Sequence, residues 1–177
     1  MTDTIKTRCL IAGMGAISRQ MTGFLKSKPW FECAGLVDLN DAALAGGREL
    51  TGLPEYALFN DLNQALAALR PDAVLINTPS ELHYAQVKQC LEAGVHVLVA
   101  KPITNDFAQA VELVELAQAQ GVKLSVAQQI RYNRHYTAVA AYVQSGALGA
   151  VEAAWFMNSK PRPNVANLGK MLQPALY

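Results

Sequence analysis

The chain has 177 residues, room for one domain with a full core or for one domain and part of another. Charged residues make up 16% against the roughly 25% usual in soluble domains, and the formal net charge is +1. No basic stripe or Lys/Arg run occurs, which argues against nucleic acid or an acidic lipid surface and leaves small molecules as the expected partners. Met1 to Arg8 lacks the apolar stretch of a secretory signal, and no run of 18 apolar residues occurs. The expectation is a cytoplasmic protein with no membrane partner. Apolar residues reach 51%, partly through abundant alanine, so the surface has apolar area to cover, as in a homo-oligomer or beside a further domain. Cys9, Cys33 and Cys90 are scattered through apolar patterns and read as buried free thiols.

The first strand runs through Cys9-Leu10-Ile11-Ala12 into Gly13-Met14-Gly15-Ala16-Ile17-Ser18, two glycines at the spacing of a dinucleotide-binding turn. Gly13 allows the tight turn, and Gly15 removes the Cβ that would hold a pyrophosphate away from the backbone. Ser18 stands where Gly or Ala is usual, which predicts a helix set slightly further from the strand. Ala16 to Lys26 is then helical, with an apolar stripe of Ile17, Met21, Phe24 and Leu25. Strand two, Phe31 to Val37, ends on Asp38, on the order of 20 residues past the glycine turn, as the fingerprint asks. A carboxylate there accepts hydrogen bonds from both ribose hydroxyls and repels a 2′-phosphate. No Arg adjoins Asp38, so NAD is expected over NADP. The competing role for Asp38 is to cap the following helix, a task also open to Asn40 or Asp41.

Asp41 to Leu50 is a second helix weakened by Gly46-Gly47, and Tyr56 to Phe59 a brief third strand. Asn60 or Asp61 caps the helix Leu62 to Leu69, and Ala73-Val74-Leu75-Ile76 is continuously apolar, as in a parallel strand covered on both faces. After Asn77-Thr78-Pro79 a helix runs from Ser80 to Glu92. Strand five follows at Val95 to Val99, then Lys101-Pro102, a helix from about Asn105 to Gln120, and strand six at Val122 to Ala127. Six strands alternating with helices predict an α/β fold, a Rossmann-type doubly wound parallel sheet over residues 1–127, with its crevice at the carboxyl ends of strands one and four. Residues 128–177 read as a linker helix, Arg134 to Gln144, and a strand of a second, incomplete α+β domain, Val151 to Met157. An unpaired strand of that kind predicts self-association.

Thr78-Pro79 offers the crevice a hydroxyl and a fixed backbone, or simply starts a helix. Lys101, straight after an apolar strand and anchored by Pro102, can polarise a substrate oxygen or exchange a proton with it. His83, in the first turn of its helix, can reach the cofactor or cap locally, whereas His96 reads as a core imidazole. No His or Cys set has metal-ligand spacing, so no metal is expected.

Taken together, Gly13-Met14-Gly15-Ala16-Ile17-Ser18, Asp38, Asn77-Thr78-Pro79 with His83, Ala100-Lys101-Pro102, Arg131-Tyr132-Asn133 and Gly146-Ala147-Leu148-Gly149 resemble the glucose-fructose oxidoreductase / inositol dehydrogenase / rhizopine-catabolism (Gfo/Idh/MocA) family. The resemblance implies a dehydrogenase moving hydride between nicotinamide and a sugar, cyclitol or related polyol. It implies cofactor contacts from Gly13, Met14, Gly15, Ala16 and Ile17, from Asp38, from Thr78, Pro79 and His83, and from Lys101 and Pro102, with Lys101 also catalytic. Two departures stand out. The family's Glu-Lys-Pro reads Ala100-Lys101-Pro102, and its Asp-x-Gly-x-His-x-x-Asp segment, source of the usual catalytic histidine, has no match from Val151 to Tyr177. The 177 residues are therefore expected to be incomplete for catalysis, with a non-catalytic NAD-binding module as the alternative.

Overall fold

The computed structural model describes residues 5–155 and 157, and in it six parallel strands form one sheet in the order β3-β2-β1-β4-β5-β6. The strands are β1 (Thr7–Ala12), β2 (Phe31–Val37), β3 (Leu58–Phe59), β4 (Ala73–Ile76), β5 (His96–Val99) and β6 (Leu124–Val126). Between them run α1 (Ala16–Leu25), α2 (Asp41–Thr51), α3 (Leu62–Leu69), α4 (Ser80–Glu92) and α5 (Phe107–Ala119). The doubly wound Rossmann-type sheet expected from the sequence is present.

Because side chains alternate across a strand, β1 sends Cys9 and Ile11 to one face and Leu10 and Ala12 to the other. Cys9 and Ile11 join Leu36, Leu75 and Leu44 of α2, with Met21 and Leu25 of α1 packed against them. Leu10 and Ala12 join Val74, Ile76 and Val99 under Leu66 of α3, Val87 of α4 and Leu113 of α5. Both faces are covered, which explains why these strands read as continuous apolar runs.

Several local expectations change. Of the stripe expected on α1, Met21 and Leu25 pack against the core, but Ile17 is 74% and Phe24 63% exposed, and the residues fully buried are Ser18 and Thr22. The hydroxyls do not go unpaired: Thr22 Oγ1 donates to the Ser18 carbonyl at 2.8 Å, and Ser18 Oγ lies 3.9 Å from Met14 Sδ. Gly46-Gly47 does not break α2. A Cβ on Gly47 would lie 2.6 Å from Leu36 Cδ1 and 2.9 Å from Met14 Cε, so the glycine lets the helix press onto β2. Asn40 and Asp61 are the side chains that cap α2 and α3. The third strand shortens to two residues because Glu55–Ala57 form a 3₁₀ turn. His96 is exposed at the start of β5, its Nδ1 accepting the Lys123 amide at 3.1 Å, and is not a core imidazole.

The chain divides after Gln129 into two compact units. The second contains α6 (Arg134–Gln144), capped by Asn133, whose side chain accepts the His135 amide. Residues 151–155 and 157 lie in neither helix nor strand, so the strand expected from Val151 to Met157 is not formed among the described residues. A strand is held by the ladder of a neighbour, and apolar sequence alone supplies none.

Candidate cofactor crevice

The parallel registers bring the strand ends level: Ala12 pairs with Val37 and Ile76, Ile76 with Val99, and Val99 with Val126. The residues just beyond continue the row by backbone bonds, Gly13 N–H to Val37 O at 2.7 Å, Asn77 N–H to Ala12 O and Ala100 N–H to Ile76 O at 2.8 Å. Asp38, Gly13, Thr78 and Lys101 therefore open onto one edge of the sheet, side by side in the order of their strands. From β2 to β5 is three strand spacings, about 14 Å. Asp38 and Lys101 thus mark opposite ends of the crevice, with the glycine turn and Thr78 between them.

Gly13 has φ +86°, and a Cβ there would meet the Asn77 carbonyl group at 2.8 Å and Thr78 N at 2.9 Å. Only glycine fits. Gly15 is the opposite case, since a Cβ built on it has nothing within 4 Å, and the residue is exposed at the N-cap of α1. No side chain caps that helix, so its first-turn N–H groups and the positive end of its dipole face the crevice beside Ala16 and Ile17. Met14, expected to touch the cofactor, is wholly buried, backbone included, and both its backbone groups are taken by protein partners, so it offers the crevice no free group.

That backbone is gripped from both sides. Asp38 Oδ2 accepts the Met14 N–H at 2.7 Å, and Arg19 Nε donates to the Met14 carbonyl at 3.2 Å. Asp38 Oδ1 accepts the Asn40 N–H at 2.9 Å, while Asn40 itself caps α2. Asp38 is therefore not the helix cap. Ser18 Oγ accepts from Asn77 Nδ2 at 3.3 Å, tying α1 to the loop after β4.

On the other side, Thr78 Oγ1 donates to Gln86 Oε1 at 2.6 Å, and Pro79 stands at the N-cap of α4. Lys101 and Pro102 are exposed and joined by a cis peptide bond. Among the described residues Lys101 has no ion-pair partner. His83 differs from the expectation of a side chain reaching out to cofactor. It is 1% exposed, with Nδ1 2.6 Å from the Pro102 carbonyl oxygen and Nε2 2.9 Å from that of Thr78. Both ring nitrogens face protein oxygens inside the fold. Arg19 and Gln86 escape a reading of motifs, since neither lies in the glycine fingerprint; the cue was their helical spacing from Gly15 and His83.

A family model described as an oxidoreductase family with NAD-binding Rossmann fold matches residues 7–128. The chain belongs to the Gfo/Idh/MocA oxidoreductase family. Inositol 2-dehydrogenase of Rhodococcus erythropolis is 33% identical over 84% of this chain and 43% of its own length. A scyllo-inositol 2-dehydrogenase (NADP(+)) of Bacillus subtilis is 27% identical over 63% of this chain and 31% of its own. Among solved structures, the WlbA dehydrogenase of Bordetella pertussis, crystallised with NADH and UDP-GlcNAcA, superposes with TM-score 0.77 at 29% identity, covering 84% of this chain and 42% of that one. The chain spans about two fifths of the length of the first curated relatives it matches.

As a Gfo/Idh/MocA nucleotide-binding fold, the crevice fits a dinucleotide on its own geometry. The space beside Gly15 is open where a Cβ would stand, the α1 N-terminus carries no competing cap, and Gly13 brings the turn down onto the β4 loop. These are the features that let a pyrophosphate approach backbone N–H groups. No helix among the described residues is long and apolar enough to cross a membrane.

Proposed function

We propose that this chain is the cofactor-binding part of an NAD-dependent dehydrogenase acting on a cyclitol, sugar or related polyol. The observation that carries the reading is the level row of strand ends, with the glycine turn at its centre and Asp38 and Lys101 on either side. Gly13, Gly15 and the first turn of α1, with Ala16 and Ile17, would hold the pyrophosphate, and Asp38 the adenosine ribose. Thr78, Pro79, Lys101 and Pro102 would line the nicotinamide end. The bound dinucleotide supplies the hydride acceptor or donor. Lys101 carries an ammonium at the end of an apolar strand, positioned to stabilise charge developing on a substrate oxygen.

Preference for NAD over NADP rests on the Asp38 carboxylate, whose charge repels a 2′-phosphate at the ribose end. The inositol dehydrogenase and the UDP-sugar-bound dehydrogenase among the relatives support a polyhydroxylated substrate. We further assign the protein to the cytoplasm, and its low charge content supports a homo-oligomer. Calorimetric titration of the 177-residue chain with NADH and NADPH tests the reading. Tighter binding of NADH supports it, and no binding of either dinucleotide overturns it.

A further inference from the structure

His83 is buried among the crevice loops, yet neither of its nitrogens is free to meet a ligand. It sits in the first turn of α4, immediately after the β4 loop that carries Thr78. One ring edge reaches the Thr78 carbonyl, in its own loop, and the other reaches Pro102, in the loop after β5. The loops it joins hold the residues assigned above to the nicotinamide end of the crevice. Gln86, one turn further along α4, receives the Thr78 hydroxyl, so the β4 loop is held at both its side chain and its carbonyl. The β5 loop has a different balance. Pro102 has no backbone N–H to donate, and the Lys101 side chain points to no ionic partner among the described residues.

We propose that His83 is a positioning residue, a buried brace that fixes the Lys101-Pro102 loop against the Thr78 loop and so sets where the Lys101 ammonium stands in the crevice. The proposal rests on the cofactor reading for its functional meaning, but the brace itself does not need the cofactor. Its logic is chemical: carbonyl oxygens only accept, and the imidazole sets a nitrogen against each of them from opposite edges, the neutral ring donating its one N–H to Pro102 or to Thr78 and the imidazolium donating to both. An amide side chain divides the two tasks. Asparagine sets its Nδ2 near the place of imidazole Nδ1, which serves Pro102, while glutamine sets its Nε2 near that of imidazole Nε2, which serves Thr78.

The experiment compares wild type, His83→Asn and His83→Gln in the 177-residue chain by lysine acetylation, read residue by residue by mass spectrometry, with Lys26 and Lys123 as internal controls. Measurements are made with and without NADH. In His83→Gln the Pro102 tether is lost, and Lys101 acetylation without NADH is expected to change at least threefold while the control lysines keep their rates. His83→Asn restores the wild-type Lys101 rate. With NADH bound, Lys101 is protected in wild type and in His83→Asn, and less so in His83→Gln.

Equal Lys101 rates in all three proteins without NADH overturn the brace, as does parallel change at Lys26 and Lys123, which reports general loosening. If His83→Gln does not fold by circular dichroism, His83→Ala, which has no donor for Pro102, takes its place in the same comparison: a changed Lys101 rate that His83→Asn does not show upholds the Pro102 tether, and equal rates reject it. Failure of wild type to bind NADH sinks the cofactor reading instead. The rates measured without NADH still judge the brace, so the two failures are distinguishable.

Discussion

Asp38 Oδ2 and the backbone N–H of Met14 are 2.7 Å apart, so the carboxylate proposed to read the ribose also holds the glycine turn in shape. Its second oxygen accepts the Asn40 N–H, at the head of α2. A charge-assisted hydrogen bond of this kind contributes about 1.5–3 kcal/mol. Asp38→Ala is therefore expected to weaken NADH binding and to lower the melting temperature together. Asp38→Asn removes the charge and keeps only one of the two acceptors, its amide NH2 facing the other backbone N–H, so it too should melt below wild type while narrowing the gap between NADH and NADPH. Calorimetry and thermal unfolding on the two variants check this. Unchanged NADPH affinity in Asp38→Asn would remove the carboxylate's charge from cofactor selection.

Gly13 and Gly15 stand two residues apart and predict opposite outcomes. A methyl on Gly13 meets Asn77 backbone at 2.8 Å with φ at +86°, and backbone cannot swing aside as a side-chain tip does. Gly13→Ala is expected to cost about 2–4 kcal/mol of stability, from overpacking and strained backbone together. Gly15→Ala meets nothing within 4 Å and should leave the urea midpoint nearly unchanged while weakening NADH binding, since its methyl would fill the space offered to the pyrophosphate. Urea unfolding separates the pair. Equal destabilisation of both would contradict the geometry.

The spans of β2, β4, α3 and α4 were legible because apolar runs, capping residues and Pro or Gly stops coincide there. What periodicity missed was part of the inner face of α1, where Met21 and Leu25 do pack against the core. It weighs hydrophobicity alone, whereas Ser18 and Thr22 are buried with their hydroxyls paired to atoms of the preceding turn, and Ile17 and Phe24 are left outside. His83 was legible as a crevice neighbour but not as a brace, because its two carbonyl partners belong to loops that only the sheet order brings together. Asp38 was recognised from its spacing. Its grip on Met14 was not, since a backbone contact leaves no mark in residue types.

The three thiols make stability fall at alkaline pH. Burial is the main cause of each shift, pushing Cys9 up to about 11 and Cys33 and Cys90 up to about 12 from an ordinary 9.0. Above pH 9 the unfolded chain releases these protons while the folded chain keeps them, so folding loses stability as pH rises through the window to about 12. Below pH 9 this contribution is fully present. Urea midpoints measured from pH 8 to pH 10.5 should decline, and less steeply in Cys90→Ala than in wild type. The same burial predicts slow alkylation by iodoacetamide at pH 8. Rapid modification of Cys90 in the folded chain would contradict its burial.

Lys101 offers the sharpest test of the catalytic proposal, because it is exposed at the end of β5 and has no ion pair among the described residues to explain it structurally. Its removal should therefore leave folding intact, with a melting temperature within a degree or two of wild type. Cofactor binding should weaken only modestly, since Lys101 lines the nicotinamide end alone and the pyrophosphate and ribose contacts lie at the other strands. In a protein that joins these residues to a substrate domain, loss of one preorganised charge facing a developing oxyanion costs on the order of 100- to 1,000-fold in kcat. Lys101→Arg keeps the positive charge but spreads it over a planar fork that cannot take the place of a compact ammonium, so it should recover only part of the rate. The 177-residue chain alone is expected to bind NADH without measurable turnover. NADH absorbance over a panel of inositols and sugars, for wild type, Lys101→Ala and Lys101→Arg, gives the result. A Lys101→Ala protein that keeps wild-type kcat would take the lysine out of the chemistry and leave it a surface charge.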